Sequence, residues 1–250
     1  MSTERNLDFA FSRDLNRMVE VTEVRNGLKC NCECPACKTR LIAKKRGKMR
    51  RPHFAHYTAQ AEDVACHTGR ETSLHMMAKQ VIAELQEFCL PQFTVSASFR
   101  LVTVEKTTPG TLLQVVRSQL PDQEPWGGGR RPDVILHGES MLLWVEVKVS
   151  NGVDDDKAAV IREQQIPTIE VDLSHIPDPY GRTKETIGEY IKTSPCICSW
   201  VFHPEEERLR KEAEVEARIK LAEDTPSRLR RAATSPQNAT ELRRRASPLA

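Results

Sequence analysis

The chain has 250 residues, room for one ordinary domain and a small second one. With 39% apolar and 29% charged residues it reads as globular with solvated tails, which excludes fibrous and wholly unstructured chains. The net charge of +2 hides an uneven distribution: Lys38 to Ala61 carries eight Lys or Arg and no Asp or Glu, and Arg228 to Ala250 carries six Arg against one Glu. Such blocks suit a polyanion, or a solvated loop and tail.

No apolar run approaches a membrane-spanning length. Met1 to Arg17 mixes charges throughout and has no apolar h-region, so no secretory signal is expected. The expected location is the cytoplasm, where the eight Cys should serve as thiols or metal ligands rather than disulfides.

Taken in order, Phe9 to Val24 is a mixed segment, a short strand or helix leading in. Cys30 to Cys66 is rich in Cys and His, basic, and too small to bury a core unaided. Thr72 to Phe88 reads as a helix, because Leu74, Met77, Ala78, Val81, Ile82, Leu85 and Phe88 form one apolar stripe. Pro91 ends it. Phe93 to Glu105 alternates in part, Thr107 to Gly110 is a turn, and Thr111 to Val116 answers it as a strand. Pro121 to Gly129 is a polar, flexible loop with three glycines at its end. Pro132 to Leu136 and Met141 to Val149 are apolar runs around His137-Gly138-Glu139-Ser140, a hairpin signal. Asp154 to Gln165 is a helix with an acidic first turn. Pro167 to Leu173 is a strand, Thr183 to Ile191 a helix, and Cys196 to Phe202 extended. Glu205 to Leu221 is a charged helix. Thr225 to Ala250 lacks the apolar bulk to offset its ordering entropy and is expected to be disordered.

The strongest local signal is Arg130-Arg131-Pro132-Asp133 followed by Glu146-Val147-Lys148. Residues two apart on a strand share a face, so Glu146 and Lys148 point one way and Val145, Val147 and Val149 the other. Leu142, Leu143 and Trp144 mark that strand as buried, and charges there are costly unless compensated. The hairpin sets Asp133 beside them, so two carboxylates and an ammonium can converge at the sheet edge. Carboxylates are hard ligands suited to Mg²⁺ or Mn²⁺. Such an ion polarises a phosphodiester and lowers the pKa of water, and a neighbouring Lys orients that water or steadies developing charge. Glu71 opens the Thr72–Phe88 helix, with His75 and Lys79 following at four-residue steps along one side. It is either a further metal or water ligand or an N-terminal Glu favoured by the helix dipole.

Cys34 and Cys37 have the Cys-x-x-Cys knuckle spacing. His53, His56 and Cys66 supply a second pair for a tetrahedral Zn²⁺. The favoured set is Cys34, Cys37, His56 and Cys66, with His53 a substitute for His56 and His67 for Cys66; Cys30 and Cys32 also compete. Between the pairs lie Lys44, Lys45, Arg46, Lys48, Arg50 and Arg51. They offer phosphate contacts or form a solvated basic loop. Arg130 and Arg131 are further candidates for nucleic-acid contact.

At these residues the chain resembles the CoiA-like competence protein family, within the PD-(D/E)XK nuclease superfamily. The blocks that carry the resemblance are Cys34-Pro35-Ala36-Cys37 with Arg51-Pro52-His53-Phe54-Ala55-His56, then Glu71-Thr72-Ser73-Leu74-His75 with Lys79, then Arg130 to Val134 and Val145 to Ser150. They span about Cys30 to Ser174. The resemblance implies a restriction-endonuclease-like α/β core in the order αβββαβ, a divalent-metal-dependent cleavage of nucleic acid, metal ligands Glu71, Asp133 and Glu146, and a catalytic Lys148. Many members carry Gln where Lys148 stands. The strands near Phe93, Pro132 and Met141 would be the three consecutive ones.

The expected organisation is therefore a lead-in (1–29), a zinc-binding module (30–67), a nuclease-like domain (68–203), and a charged helix with a partly disordered basic tail (204–250). The expected partner is DNA, with no membrane and with a protein partner for the C-terminal helix as a further candidate. The alternative is a zinc-containing nucleic-acid-binding protein that does not cleave.

Overall fold

The computed structural model describes residues 6–46, 51–57, 66–121, 131–177 and 182–233. It divides into two units, Met1–Pro91 with Gly110–His203, and Gln92–Pro109 with Pro204–Ala250.

The mixed segment at the start of the first unit is two strands, β1 (Phe9–Ser12) and β2 (Arg17–Glu20). β1 lies between β2 and β3 (Cys32–Glu33), antiparallel to both. Alternation splits β1 between two cores. Phe9 joins the main core with Met18, while Ala10 joins a small one made of Leu7, Val19, Cys30, Leu41 and Phe54. A hairpin of β4 (Leu41–Lys44) and β5 (His53–His56) completes the small core.

Helix α1 (Gly69–Ala83) buries Leu74, Met77, Ala78, Val81 and Ile82, the expected stripe. It stops short of the expected Phe88. Glu87–Leu90 is a strand, β6, in which Phe88 and Leu90 are buried in alternation. Phe88 stands three residues after Leu85, a helical step, and two before Leu90, a strand step, and pairing decides between them. The next two strands, β7 (Phe93–Phe99) and β8 (Val102–Thr108), form a hairpin. β6 pairs not with them but with β9 (Thr111–Gln114), Phe88 standing opposite Leu113. The expected turn at Thr107 to Gly110 is therefore the exit from β8. The real turn is at Arg100–Leu101, where Arg100 takes a left-handed φ of 56°. Thr94–Thr107 and Ser98–Thr103 hydroxyl pairs, both at 2.8 Å, fix that register.

The central sheet has five strands in the order β10 (Arg117–Gln119), β11 (Val134–His137), β12 (Leu142–Lys148), β13 (Thr168–Asp172), β14 (Cys198–Phe202). Only β12 and β13 are parallel. Parallel neighbours need a crossover, and α2 (Asp155–Glu163) supplies it. Its N-cap is Asp154, whose carboxylate accepts the Lys157 N–H at 2.7 Å. One face of the sheet presents Val134, Leu136, Leu143, Val145, Val147, Ile169 and Val171 to the main core. That core includes α1 and Ile187 and Ile191 of α3 (Lys184–Thr193). The other face packs Ile135 and Trp144 on Ile161 of α2. Counting only the central sheet and its helices, the order from α1 to β13 is helix, three strands, helix, strand, with β6 to β9 intervening between α1 and β10. The first of those strands is Arg117–Gln119, whereas the sequence suggested the run at Phe93. That run lies outside the central sheet because its apolar positions are used elsewhere.

In the second unit Ala97 and Val104 of the β7–β8 hairpin pack on Ala213 and Ala217 of α4 (Glu206–Ala233). The helix continues nine residues into the stretch expected to be disordered from Thr225, because propagating a formed helix costs far less than nucleating one. Ladders such as Arg210–Glu206 and Lys220–Glu216 support it. Residues 234–250 and the Gly127–Gly129 loop lie outside the described residues. Among the described residues no helix is long and apolar enough to cross a membrane.

Leu136 is fully buried at the middle of the sheet. Leu136→Ala is expected to cost about 2–5 kcal/mol in urea unfolding. Leu101→Ala, at 81% exposure, should stay within about 0.5 kcal/mol of the parent.

Candidate functional site

Asp133 sits immediately before β11, and the β11–β12 pairing brings it to the second half of β12. Its Oδ2 accepts the Val147 backbone N–H at 2.8 Å and lies 3.1 Å from His75 Nε2, while Oδ1 lies 3.4 Å from Lys79 Nζ. His75 and Lys79 are one turn apart on α1, so a single helix face addresses both oxygens. Burial alone would raise the Asp133 carboxyl, but His75, Lys79 and the Val147 N–H hold it at about 2.

Glu146 is only 4% exposed, in the middle of β12. Burial pushes it up to about 7, with the nearby Asp133 adding to the rise and Lys157 opposing it. Lys157 Nζ lies 2.6 Å from Glu146 Oε2 and donates to the Arg131 carbonyl at 3.0 Å. Glu146 Oε1 is buried without a hydrogen-bond partner.

Lys148 is on the same face but does not converge with these carboxylates. It stands opposite Asp172 in the β12–β13 register, with Nζ 2.7 Å from Asp172 Oδ2. Asp172 in return is held at about 2, its hydrogen bonds to Lys148 and Ser174 outweighing desolvation. Glu71 opens α1 and is hydrogen-bonded to the Ser150 hydroxyl beyond β12. Among the described residues the carboxylates of Glu71, Asp133 and Glu146 are not gathered into one tight ligand group. Of the three residues expected together, Asp133 and Glu146 are close enough to perturb one another, Lys79 pairs with the first and Lys157 with the second, and Lys148 pairs elsewhere.

Lys157 was not singled out by sequence reasoning, yet a signal existed. It lies one turn before Ile161, the buried residue of α2, and therefore faces the sheet. Glu170, opposite Glu146 on β13, was also missed; its Oε2 accepts the Val153 N–H at 2.6 Å. Gly152 permits that approach, since a Cβ there would lie 2.5 Å from Glu170 Oε2.

The second cluster is Cys34, Cys37, His56 and Cys66, whose ligand atoms all lie within 4.8 Å of one another. A tight turn presents Cys34 and Cys37: the Cys34 N–H donates to the Thr39 carbonyl at 2.9 Å, and Lys38 takes a left-handed φ of 60°. Cys34 Sγ is 3.7 Å from Cys66 Sγ, and Cys37 Sγ is 3.3 Å from His56 Nε2. Tetrahedral zinc with bonds of about 2.3 Å to sulfur spaces its ligands by roughly 3.8 Å, so this set fits Zn²⁺. Gly69 closes the cluster from α1, where a Cβ would meet Cys66 Sγ at 2.8 Å. Burial pushes the Cys34 thiol up to about 12 and lowers His56. A divalent ion, which takes thiolate and neutral imidazole, supplies what that thiol lacks. His53, three residues before His56 on β5, falls on the other face. Its Nδ1 is 2.8 Å from the Arg51 carbonyl, and it is not among the four. Cys30 and Cys32 are buried in the small core, as Cys34 is, but are not in the ligand group.

Of the basic residues, Lys44, Arg46, Arg51 and Arg131 are exposed. Lys45 is half-buried and donates to the Thr22 carbonyl, and Arg51 pairs with Asp8 at 3.0 Å. Lys48, Arg50 and Arg130 lie outside the described residues.

Residues 16–65 match a family model described as Competence protein CoiA, N-terminal domain. The match covers β2 to β5 and includes Cys34, Cys37 and His56, three of the four clustered ligands. A dihydroxy-acid dehydratase of Thermus thermophilus is 27% identical over 147 residues, which cover 55% of this chain and 25% of that protein. A match to a quarter of a longer protein carries no argument about activity. No solved structure matches significantly.

The chain is expected to hold one Zn²⁺, measured by elemental analysis. Cys37→Ser should lower the zinc content and the melting temperature together, and His53→Gln should retain the metal. Full zinc in Cys37→Ser would remove the assignment. The carboxylates give opposite pH signatures in EDTA. Glu146, raised from 4.5 to about 7, burdens the fold increasingly as pH rises through that interval. Glu146→Gln should therefore gain stability relative to the parent between those pH values, over a constant offset from the unpaired Lys157. Asp133, lowered from 3.8 to about 2, contributes stability that is present above 3.8 and lost as pH falls through 2. Asp133→Asn should flatten that acid limb of the unfolding curve.

Proposed function

We propose that this chain is a divalent-metal-dependent nuclease of the PD-(D/E)XK type, acting on DNA and carrying a structural zinc module. The observation that carries the reading is Glu146. A carboxylate at 4% exposure beside a second carboxylate, with one oxygen buried and unpartnered, is a costly arrangement that a cation would relieve. With β6 to β9 taken as an insertion outside the central sheet, the order α1, β10, β11, β12, α2, β13 supports the αβββαβ reading that the sequence resemblance implies. Support also comes from the match of residues 16–65 to the CoiA N-terminal domain.

Asp133 and Glu146 would hold a Mg²⁺ or Mn²⁺, whose bound charge polarises a phosphodiester and activates water. His75 and the Val147 N–H fix the orientation of the Asp133 carboxylate toward β12. The burial of Glu146 excludes bulk water from its side of the pair. Glu71, whose Oε1 accepts the Ser150 hydroxyl, would contribute through its remaining acceptor sites. Lys44, Arg46 and Arg131 are exposed, and in this reading they would supply phosphate contacts.

A second reading, nucleic-acid binding without cleavage, draws on a different observation. Lys79, His75 and Lys157 already engage three of the four carboxylate oxygens, so the pair is largely neutralised without a metal.

The test is cleavage of single-stranded, duplex and branched DNA, and of RNA, with Mg²⁺, Mn²⁺ or EDTA. Cleavage should require the metal, and Glu146→Ala should lower it roughly 100-fold or more, the scale of losing a charge-stabilising group. Full activity in that variant, or cleavage in EDTA, would sink the nuclease reading. Binding without cleavage on every substrate would favour the second.

A further inference from the structure

Two lysines could provide the ammonium at the carboxylate pair, and their surroundings differ. Lys148 belongs to the Glu-x-Lys motif, but its Nζ is bonded to Asp172 at 2.7 Å, and its side chain is 31% exposed. Lys157 comes from the crossover helix α2. Its Nζ reaches Glu146 Oε2 at 2.6 Å and the Arg131 carbonyl at 3.0 Å, and its side chain is 19% exposed. It therefore grips both halves of the site, the β12 carboxylate and the backbone two residues before Asp133. The helix is built to deliver it. Asp154 caps α2 by accepting the backbone N–H of Lys157 itself, and Ile161, one turn on, seats the helix on Trp144 and Ile135.

We propose that Lys157, rather than Lys148, is the positioning cation of the candidate centre, holding Glu146 by Oε2 so that Oε1 is left to an incoming divalent ion. This rests on the nuclease reading of the same site. Lys157 acts in two opposed ways. It orients the carboxylate that the ion needs, and its own charge repels that ion. Removing it makes the site more negative and less ordered, so the ion binds more tightly while cleavage falls. A lysine that served the fold alone would not tighten ion binding.

The test titrates Mn²⁺ alone into the full-length, zinc-loaded chain, followed by electron paramagnetic resonance, beside a DNA cleavage assay. Lys157→Gln should tighten Mn²⁺ roughly tenfold, the scale of removing a unit charge a few ångströms away in a partly screened site. It should also lower cleavage roughly 100-fold. Lys157→Arg keeps the charge and should stay within about threefold of the parent in Mn²⁺ affinity. Lys148→Gln should change both readouts less than Lys157→Gln does. Unchanged or weaker Mn²⁺ binding in Lys157→Gln, or the larger effect in Lys148→Gln, would overturn the proposal. If the parent cleaves no substrate the nuclease reading fails separately, and the Mn²⁺ titration still decides the role of Lys157. If Lys157→Gln does not fold, Lys157→Met is titrated in its place: tighter Mn²⁺ binding upholds the proposal, and unchanged or weaker binding overturns it.

Discussion

The arrangement hinges on one carboxylate, Glu146, carried into the interior on a strand whose neighbours are apolar. Breaking a buried ion pair by removing one partner costs about 3–5 kcal/mol, so a charge at this depth constrains everything that compensates it. Lys157 must arrive from the other side of the sheet, which fixes where α2 begins and how it sits on Trp144 and Ile161. Arg131 must offer its carbonyl to the same ammonium, which fixes the approach to β11. Asp133 then lies close enough to disturb Glu146, and is itself steadied by His75 and Lys79 from α1. Two helices on opposite faces of one sheet are thereby tied to a single pair of acids.

The N-terminal part solves a different problem. Its small core holds Leu7, Leu41, Phe54 and a few smaller side chains around β1, β4 and β5. So little apolar surface leaves the fold dependent on a cross-link, and the Cys34, Cys37, His56 and Cys66 group spans the turn after β3, the end of β5 and the approach to α1. The Cys/His cluster and the buried carboxylate pair thus share α1, the former packing on Gly69 at its start and the latter reached by His75 and Lys79 over its next turns.

Much of this was legible from sequence, for identifiable reasons. The α1 stripe and the Val- and Leu-rich runs of β11, β12 and β13 announce themselves, because burial on a defined face forces a period. The Cys-x-x-Cys turn is equally local, whereas the choice between His56 and His53 is open in the sequence and is made by β5, which puts them on opposite faces. Three things were not legible. β10, Arg-Ser-Gln, has no apolar signature, so nothing local marks it as an edge strand of the central sheet. Phe88 fits helix and strand periods alike, and its partner Leu113 lies far along the chain. Lys148 was matched with the wrong carboxylates because its partner Asp172 is set by a parallel register 24 residues away. Local pattern places a side chain on a face, whereas the choice of partner across the sheet is a tertiary decision.

The second unit is assembled from two distant stretches, an insertion between β6 and β9 and the end of the chain. The hairpin buries Ala97 and Val104 only against α4, which a ribosome would deliver after all of residues 110–203. Until then two adjacent edge strands would present an apolar side and unpaired backbone groups, the features that invite non-native pairing. The unit that begins near the middle of the chain therefore cannot complete its apolar packing until α4 has been made.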